Sequence, residues 1–169
     1  MPDDCLFCKI VKGEIPAFKV YEDSKTLAFL DINPRNPGHT LVIPKSHHET
    51  ILTVSEDEGT VLFSAVKKVS IALKNSLKAD GLSVLQNNGE AAGQVVGHLY
   101  FHVIPRFNSE RPVALEALLP VKKPASQEAM QQLVSSIKAG FGGPVEHKKE
   151  EPKQEKKSDA KKKDMFDFK

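Results

Sequence analysis

Gly93-Gln94-Val95-Val96-Gly97-His98-Leu99-Tyr100-Phe101-His102-Val103-Ile104-Pro105-Arg106 is the stretch on which the fold turns. Polar and apolar residues alternate from His98 onward. In an extended chain a period of two sends His98, Tyr100 and His102 to one face and Leu99, Phe101 and Val103 to the other. The run therefore predicts a strand over His98–Arg106 with an apolar face to bury and a chemically capable face opposite. A lone histidine on such a strand is an ordinary polar residue. Two imidazoles flanking a phenol beside a glycine-containing segment make a stronger signal.

Working outward, Leu82–Asn87 reads as another strand, joined to the first through Asn88–Gly97. Before it the sequence predicts its longest helix, over residues 55–79. Ser55 stands three residues before Glu58 as in a capping box, acids fill the first turn, and Val61, Leu62, Ala65, Val66, Val69, Ala72, Leu73 and Leu77 recur at steps of three and four. The helix is expected to end near Gly81. His39–Ile43 is a strand stopped by Pro44, and Asn33–Gly38, with two prolines and a glycine, breaks regular structure ahead of it. Val20–Glu22 and Thr26–Leu30 form a hairpin about Asp23-Ser24-Lys25. Downstream, a second helix is expected over residues 126–139, with Ser126 as cap, a stripe of Met130, Leu133, Val134 and Ile137, and Gly140 as stop.

The chain has 169 residues, enough for one compact domain and a tail, and too few for two sizeable cores. Its formal net charge of +2 hides an asymmetry, because residues 148–169 carry nine Lys against six acids and residues 1–147 are left at −1. A core of that charge argues against binding long nucleic acid by phosphate neutralisation. No stretch approaches the roughly 18 apolar residues of a membrane span, so no membrane partner is expected. Acids near the N-terminus stand where a secretory signal would carry base, and the cytoplasm is the expected compartment. In that reducing setting Cys5 and Cys8, three positions apart, read as metal ligands or as a redox pair. Beyond Gly143-Pro144 the residues are Lys, Glu, Asp, Gln and Ser, a composition expected to be disordered as far as Met165-Phe166-Asp167-Phe168.

The segment Gly93–Arg106 resembles the signature of the histidine-triad (HIT) family of nucleotide-binding proteins, in which three histidines alternate with apolar residues after Gly-Gln and before Ile-Pro-Arg. The middle histidine is Tyr100 here. Further blocks carry the resemblance: Cys5-Leu6-Phe7-Cys8-Lys9-Ile10, Ala28–Pro34, Gly38–His47, and Gln86-Asn87-Asn88-Gly89. It implies an α+β fold, with an antiparallel sheet of about five strands under one long helix, usually in a homodimer. Residues 1–110 would form the HIT-like domain, 111–145 an extension holding the second helix, and 146–169 a disordered lysine-rich tail.

The resemblance also implies a ligand, a purine nucleoside monophosphate or a dinucleoside polyphosphate, and assigns residues to it. Asp31 would take the ribose hydroxyls, and Phe7, Ile10, Leu30 and Ile32 would line a slot for the base. Asn87, the loop at Gly93, Gln94 and Val95, and His102 would contact phosphate, with His39 beside them. Cys5, Cys8, His47 and His98 match the zinc-binding branch of the family, and four protein ligands would make that zinc structural. His48 competes with His47, although the Pro-Lys-x-His spacing favours the latter. In the family the middle histidine attacks phosphorus. At Tyr100 that route is expected to fail, leaving a nucleotide-binding protein whose hydrolase or transferase chemistry is lost or strongly weakened. Two other readings stay open: an active hydrolase or transferase that uses Tyr100 or another group, and an interaction protein acting through its lysine-rich tail.

Overall fold

The computed structural model describes residues 2, 4–110 and 126–141, and the chain divides into two compact units, Met1–Pro124 and Ala125–Lys169. The first unit runs α1 (Leu6–Lys12), β1 (Lys19–Glu22), β2 (Thr26–Leu30), β3 (Thr40–Pro44), α2 (Glu56–Leu77), β4 (Gly81–Leu85), a single 3₁₀ turn (Glu90–Ala92) and β5 (Phe101–Arg106). The five strands form one antiparallel sheet in the order β1-β2-β3-β5-β4, the α+β architecture expected. In the second unit the structure describes α3 (Gln127–Gly140), capped by the Ser126 hydroxyl, which accepts from Ala129 N–H. The helix runs through Gly140 instead of stopping there and ends at Phe141. Residues 111–125 and 142–169, which include the expected tail, lie outside the described residues.

The sheet is covered on both faces, so β2 and β3 are near-continuous apolar runs with no solvent side. On one face Ala28, Val42, Leu99 and Val103 pack against Leu62, Ala65, Val66 and Val69 of α2. On the other, Leu27, Phe29, Leu41, Ile43 and Tyr100 pack against Phe7 and Ile10 of α1. The sequence pattern does not predict the helix α1. It has only seven residues, no side-chain cap at Cys5, and no room for a repeated stripe. Gly13, at φ +79°, closes it with N–H bonds to Ile10 and Lys9.

The capping box at α2 forms as read, with Ser55 Oγ accepting from Glu58 N–H at 3.3 Å. Its end does not need the glycine expected there. Lys78 itself takes the left-handed conformation at φ 52°, and the Lys74 ammonium donates to the carbonyls of Ala79 and Asp80. The signature strand is shorter than expected, because regular pairing starts only at Phe101. The alternation survives over residues 98–100 all the same, with Leu99 facing α2 and Tyr100 facing α1.

Gly38 brings the β2–β3 connection against the sheet end. At φ +84°, a Cβ there would collide with Leu77 Cδ1 and press on Pro105 Cγ at 3.2 Å. Gly13 has a similar φ but open space around it. Gly38→Ala should therefore lower stability by about 2 kcal/mol or more, and Gly13→Ala by about 1 kcal/mol, in urea titrations. Equal losses would show that close approach is not the constraint at Gly38.

Candidate functional site

Two clusters of chemically capable side chains lie on the α1 side of the sheet, and the signature segment contributes to both. The first comprises Cys5, Cys8, His47 and His98, whose ligand atoms all lie within 4.8 Å of one another. His98 is fully buried, and its Nε2–H donates to the Pro44 carbonyl at 3.0 Å. That bond leaves the Nδ1 lone pair facing Cys5 Sγ at 3.5 Å and Cys8 Sγ at 3.7 Å. His47 Nδ1 approaches Cys8 Sγ at 3.4 Å. Its neighbour His48 turns away, with Nε2 3.2 Å from Glu58 Oε2, so the histidine of this pair that approaches the cysteines is His47. Burial pushes the Cys8 thiol up to about 11, with the Cys5 thiol adding to the shift, and holds His98 down at about 4. The Cys8 thiol and the His98 ring are thus uncharged unless a cation joins them. The four groups form a convergent N₂S₂ donor set that fits a tetrahedral metal ion.

The second cluster brings together Asp31, His39 and His102. Asp31 Oδ1 accepts from Asn33 N–H at 2.8 Å, and Oδ2 lies 3.4 Å from His39 Nδ1. His39 Nδ1 also accepts from Arg35 N–H at 3.2 Å, so in the neutral ring Nε2 carries the proton and donates to His102 Nδ1, 2.9 Å away. His102 is left with its own Nε2–H as a donor. In that tautomer of His39 no proton lies between Asp31 and His39, so the hydrogen-bonded pair is His39 and His102, and the ligand atoms of all three residues lie within 4.8 Å of one another. His102 sits mid-sheet, opposite Leu41 of β3 and Leu85 of β4.

This second cluster opens on a cavity of about 580 Å³. Phe7, Ile10, Leu30, Asp31, Ile32, His39, Asn87, Gly93, Val95, Tyr100 and His102 all line it, so eleven residues singled out from the sequence meet in one place. The Tyr100 ring is buried edge-on to Phe7 (centroids 5.3 Å apart) and to His102 (5.0 Å), and its hydroxyl accepts from Val95 N–H at 3.4 Å. A family model, the HIT domain, matches residues 12–109. The chain belongs to the HIT family.

An adenosine 5′-monophosphoramidase of Candida albicans is 46% identical over 106 residues, which are 60% of this chain and 70% of that protein. Among solved structures, a HIT family member from Bacillus subtilis superposes with a TM-score of 0.73 at 38% identity, covering 84% of this chain and all of that one. A zinc-bound histidine-triad family protein from Mycobacterium smegmatis reaches 0.62 at 35% identity, covering 79% of this chain and 97% of that one.

One residue assigned to the HIT site from sequence is placed apart from the cavity. The Gln94 side chain is buried and works on the loop itself: Oε1 accepts from Gly89 N–H, and Nε2 lies within donating distance of the carbonyls of Glu49, Val96 and His98. It ties the glycine loop to the signature segment. The sequence reading also omitted Leu6, Phe18, Arg35 and Leu85, which line the cavity. Leu6, Phe18 and Leu85 bear no reactive group, and Arg35 gave no signal apart from lying in a turn.

Burial lowers the pKa of both His39 and His102 below the ordinary value, against the opposing pull of Asp31. In the unfolded chain each imidazole takes up its proton near pH 6.5, so below that pH the unfolded state binds more protons and stability falls toward the depressed folded values. The urea midpoint should therefore drop between pH 7.5 and pH 5, and less steeply in His39→Gln. A midpoint independent of pH over that range would contradict two neutral imidazoles.

Proposed function

We propose that this HIT domain binds purine nucleoside 5′-monophosphates in the 580 Å³ cavity and that chemistry at the α-phosphate is lost or strongly weakened. The observation that carries the reading is Tyr100. It occupies the family's nucleophile position beside His102, with its hydroxyl held by Val95 N–H. An imidazole offers phosphorus a free lone pair at neutral pH, whereas a phenol keeps its proton and acts as a donor. His102, also presenting N–H, is poor at removing that proton. Both groups suit the binding of an anionic phosphate better than an attack on it.

The remaining residues take matching roles. Asp31, only partly exposed, keeps Oδ2 free of backbone donors and can accept from ribose hydroxyls. Phe7, Ile10, Leu30 and Ile32 offer apolar surface to a base, and Asn87, Gly93, Val95 and His102 are the cavity residues left for the phosphate. The activity named for the Candida relative, on adenosine 5′-monophosphoramidate, agrees with a ligand of this class. A second copy of the chain would meet the first along β4, which has a neighbour on one side only and exposes Val84.

For the first cluster we propose structural zinc on Cys5, Cys8, His47 and His98. Ligand distances of about 2.3 Å to sulfur and 2.0 Å to nitrogen at tetrahedral angles require S···N edges of about 3.5 Å. The separations found are 3.4, 3.5 and 3.7 Å. Four protein ligands leave no open position for substrate, and the zinc-bound mycobacterial structure points the same way. Purified protein should hold one tightly bound zinc per chain, and Cys5→Ser/Cys8→Ser should release it and lower the melting temperature, because binding and folding are coupled. Metal content well under one after zinc-replete expression would sink this assignment.

Tyr100→His tests the main reading, since the side chain already faces the cavity and no backbone shift is needed. Both proteins should bind AMP in calorimetry. The variant should cleave adenosine 5′-phosphoramidate faster than the parent by orders of magnitude, as when a covalent route is restored. A parent as fast as the variant would show that Tyr100 or a neighbour serves as nucleophile.

A further inference from the structure

The Cys and His cluster and the cavity are built from the same two segments. In the signature, His98 belongs to the cluster and Tyr100, two residues on, lines the cavity. Near the start of the chain Cys5 and Cys8 belong to the cluster, while Leu6, Phe7 and Ile10 line the cavity. The Phe7 ring joins the two pairs, edge-on to His98 at 5.8 Å and to Tyr100 at 5.3 Å. Cys5 is the N-cap of α1 and the others lie within it, a helix of seven residues with no side-chain cap, too short to persist in water alone. Its place on the sheet depends on what its side chains meet. Phe7 and Ile10 pack with Leu27 and Phe29 of β2 and Leu41 and Ile43 of β3, and Val11 packs against the same group. The thiols approach the two imidazoles at 3.4, 3.5 and 3.7 Å, and a thiol is a weak hydrogen-bonding partner.

We infer that α1 couples the two sites: metal on the cluster raises the affinity of the cavity for a nucleoside, and a nucleoside raises the affinity of the cluster for metal. The inference rests on the zinc and nucleotide readings above. One cation bound by Cys5, Cys8, His47 and His98 holds α1 by bonds that exist only while the helix is docked. The same docked helix presents Leu6, Phe7 and Ile10 to the cavity. The two-state element is therefore α1, docked or undocked, and both sites favour the docked state. A nucleoside that needs the docked wall binds with its intrinsic affinity multiplied by the docked fraction, and metal brings that fraction toward one. Linkage makes the effect reciprocal, with the same factor in each direction. Because α1 supplies the wall read as the base slot, the coupling acts on the nucleoside and does not need the phosphate.

The experiment is calorimetry on the full-length protein, zinc-loaded and after zinc is removed with a chelator, with adenosine and AMP as probes. Both probes should bind the zinc-loaded protein about five- to 150-fold tighter, the span typical of coupled sites, and by equal factors. Competition with a chromophoric chelator should show adenosine raising zinc affinity by that same factor. Val11→Ala, which loosens α1 but lies outside the cluster and the cavity, should widen the factor by about threefold or more, as expected for part of two buried methyl groups. Limited trypsin digestion locates the change. Zinc removal should open Lys9 and Lys12 of α1 to cleavage, adenosine should slow it, and Lys67, Lys68 and Lys74 of α2 should stay resistant. Cleavage that spreads equally to α2 means global unfolding and overturns the coupling through α1. Equal affinities with and without zinc overturn it too, as does an effect on AMP that adenosine does not share or a factor unchanged in Val11→Ala. If the protein takes up no zinc the metal assignment falls, and if the zinc-loaded protein binds neither probe the nucleotide reading falls; either takes this inference with it.

Discussion

The Nε2–H of buried His98 donates to the Pro44 carbonyl, 3.0 Å away, where β3 ends. A buried imidazole has few stable choices, and this bond decides among them by fixing both the tautomer and the ring plane. Nδ1 is left pointing at Cys5 and Cys8, which makes the metal-type cluster possible. The same bond pins the segment just before β5, where regular pairing has not yet begun, so that Tyr100 and His102 reach the cavity on schedule. Loss of it would free one end of the signature segment and leave a carbonyl buried without a partner.

The two clusters share one wall. Phe7 lies between Cys5 and Cys8 in sequence and touches three rings edge-on: His98 at 5.8 Å, Phe29 at 5.5 Å and Tyr100 at 5.3 Å. Whatever holds the cysteines thus also holds the apolar side of the cavity, since α1 is a two-turn helix that could not persist alone. The polar side is organised independently. Its loop from Asp31 to His39 is braced by Asn33 N–H on Asp31, Arg35 N–H on His39, and the Asn36 side chain on the Pro105 carbonyl. A ligand spanning the cavity would rest on one wall anchored by the Cys and His cluster and on another anchored by backbone donors.

Strand patterning made most of this legible. The period of two in His98–Val103 and the stripe of α2 predict which side chains meet, and the faces agree even where the ladder is incomplete. The elements that escaped sequence reading are those whose stability comes from elsewhere. The helix α1 has no cap and no repeat, and tertiary packing of Phe7 and Ile10 holds it. Lys78 takes a glycine-like conformation because Lys74 answers the free carbonyls beside it. Gln94 reads as a ligand contact when only its place in the motif is known, yet an amide with both a donor and an acceptor is what a tight loop with several orphan carbonyls requires. Leu85 gave no signal because an apolar residue carries chemistry only through position.

The residues that bind and the residue that would react are supported separately. Tyr100 belongs to the apolar cluster with Phe7, Leu41 and Ile43, and its edge-on contact with Phe7 is of a kind that adds about 0.5–1.5 kcal/mol beyond area burial. A phenol there buries more carbon than an imidazole, and its hydroxyl has a donor in Val95 N–H, so the fold is satisfied at position 100 without a histidine. Asp31 is held by Asn33, His102 by His39, and the glycine loop by Gln94 as well as by the Val95 N–H bond to the Tyr100 hydroxyl. A residue other than histidine at position 100 therefore leaves the other supports of the cavity in place.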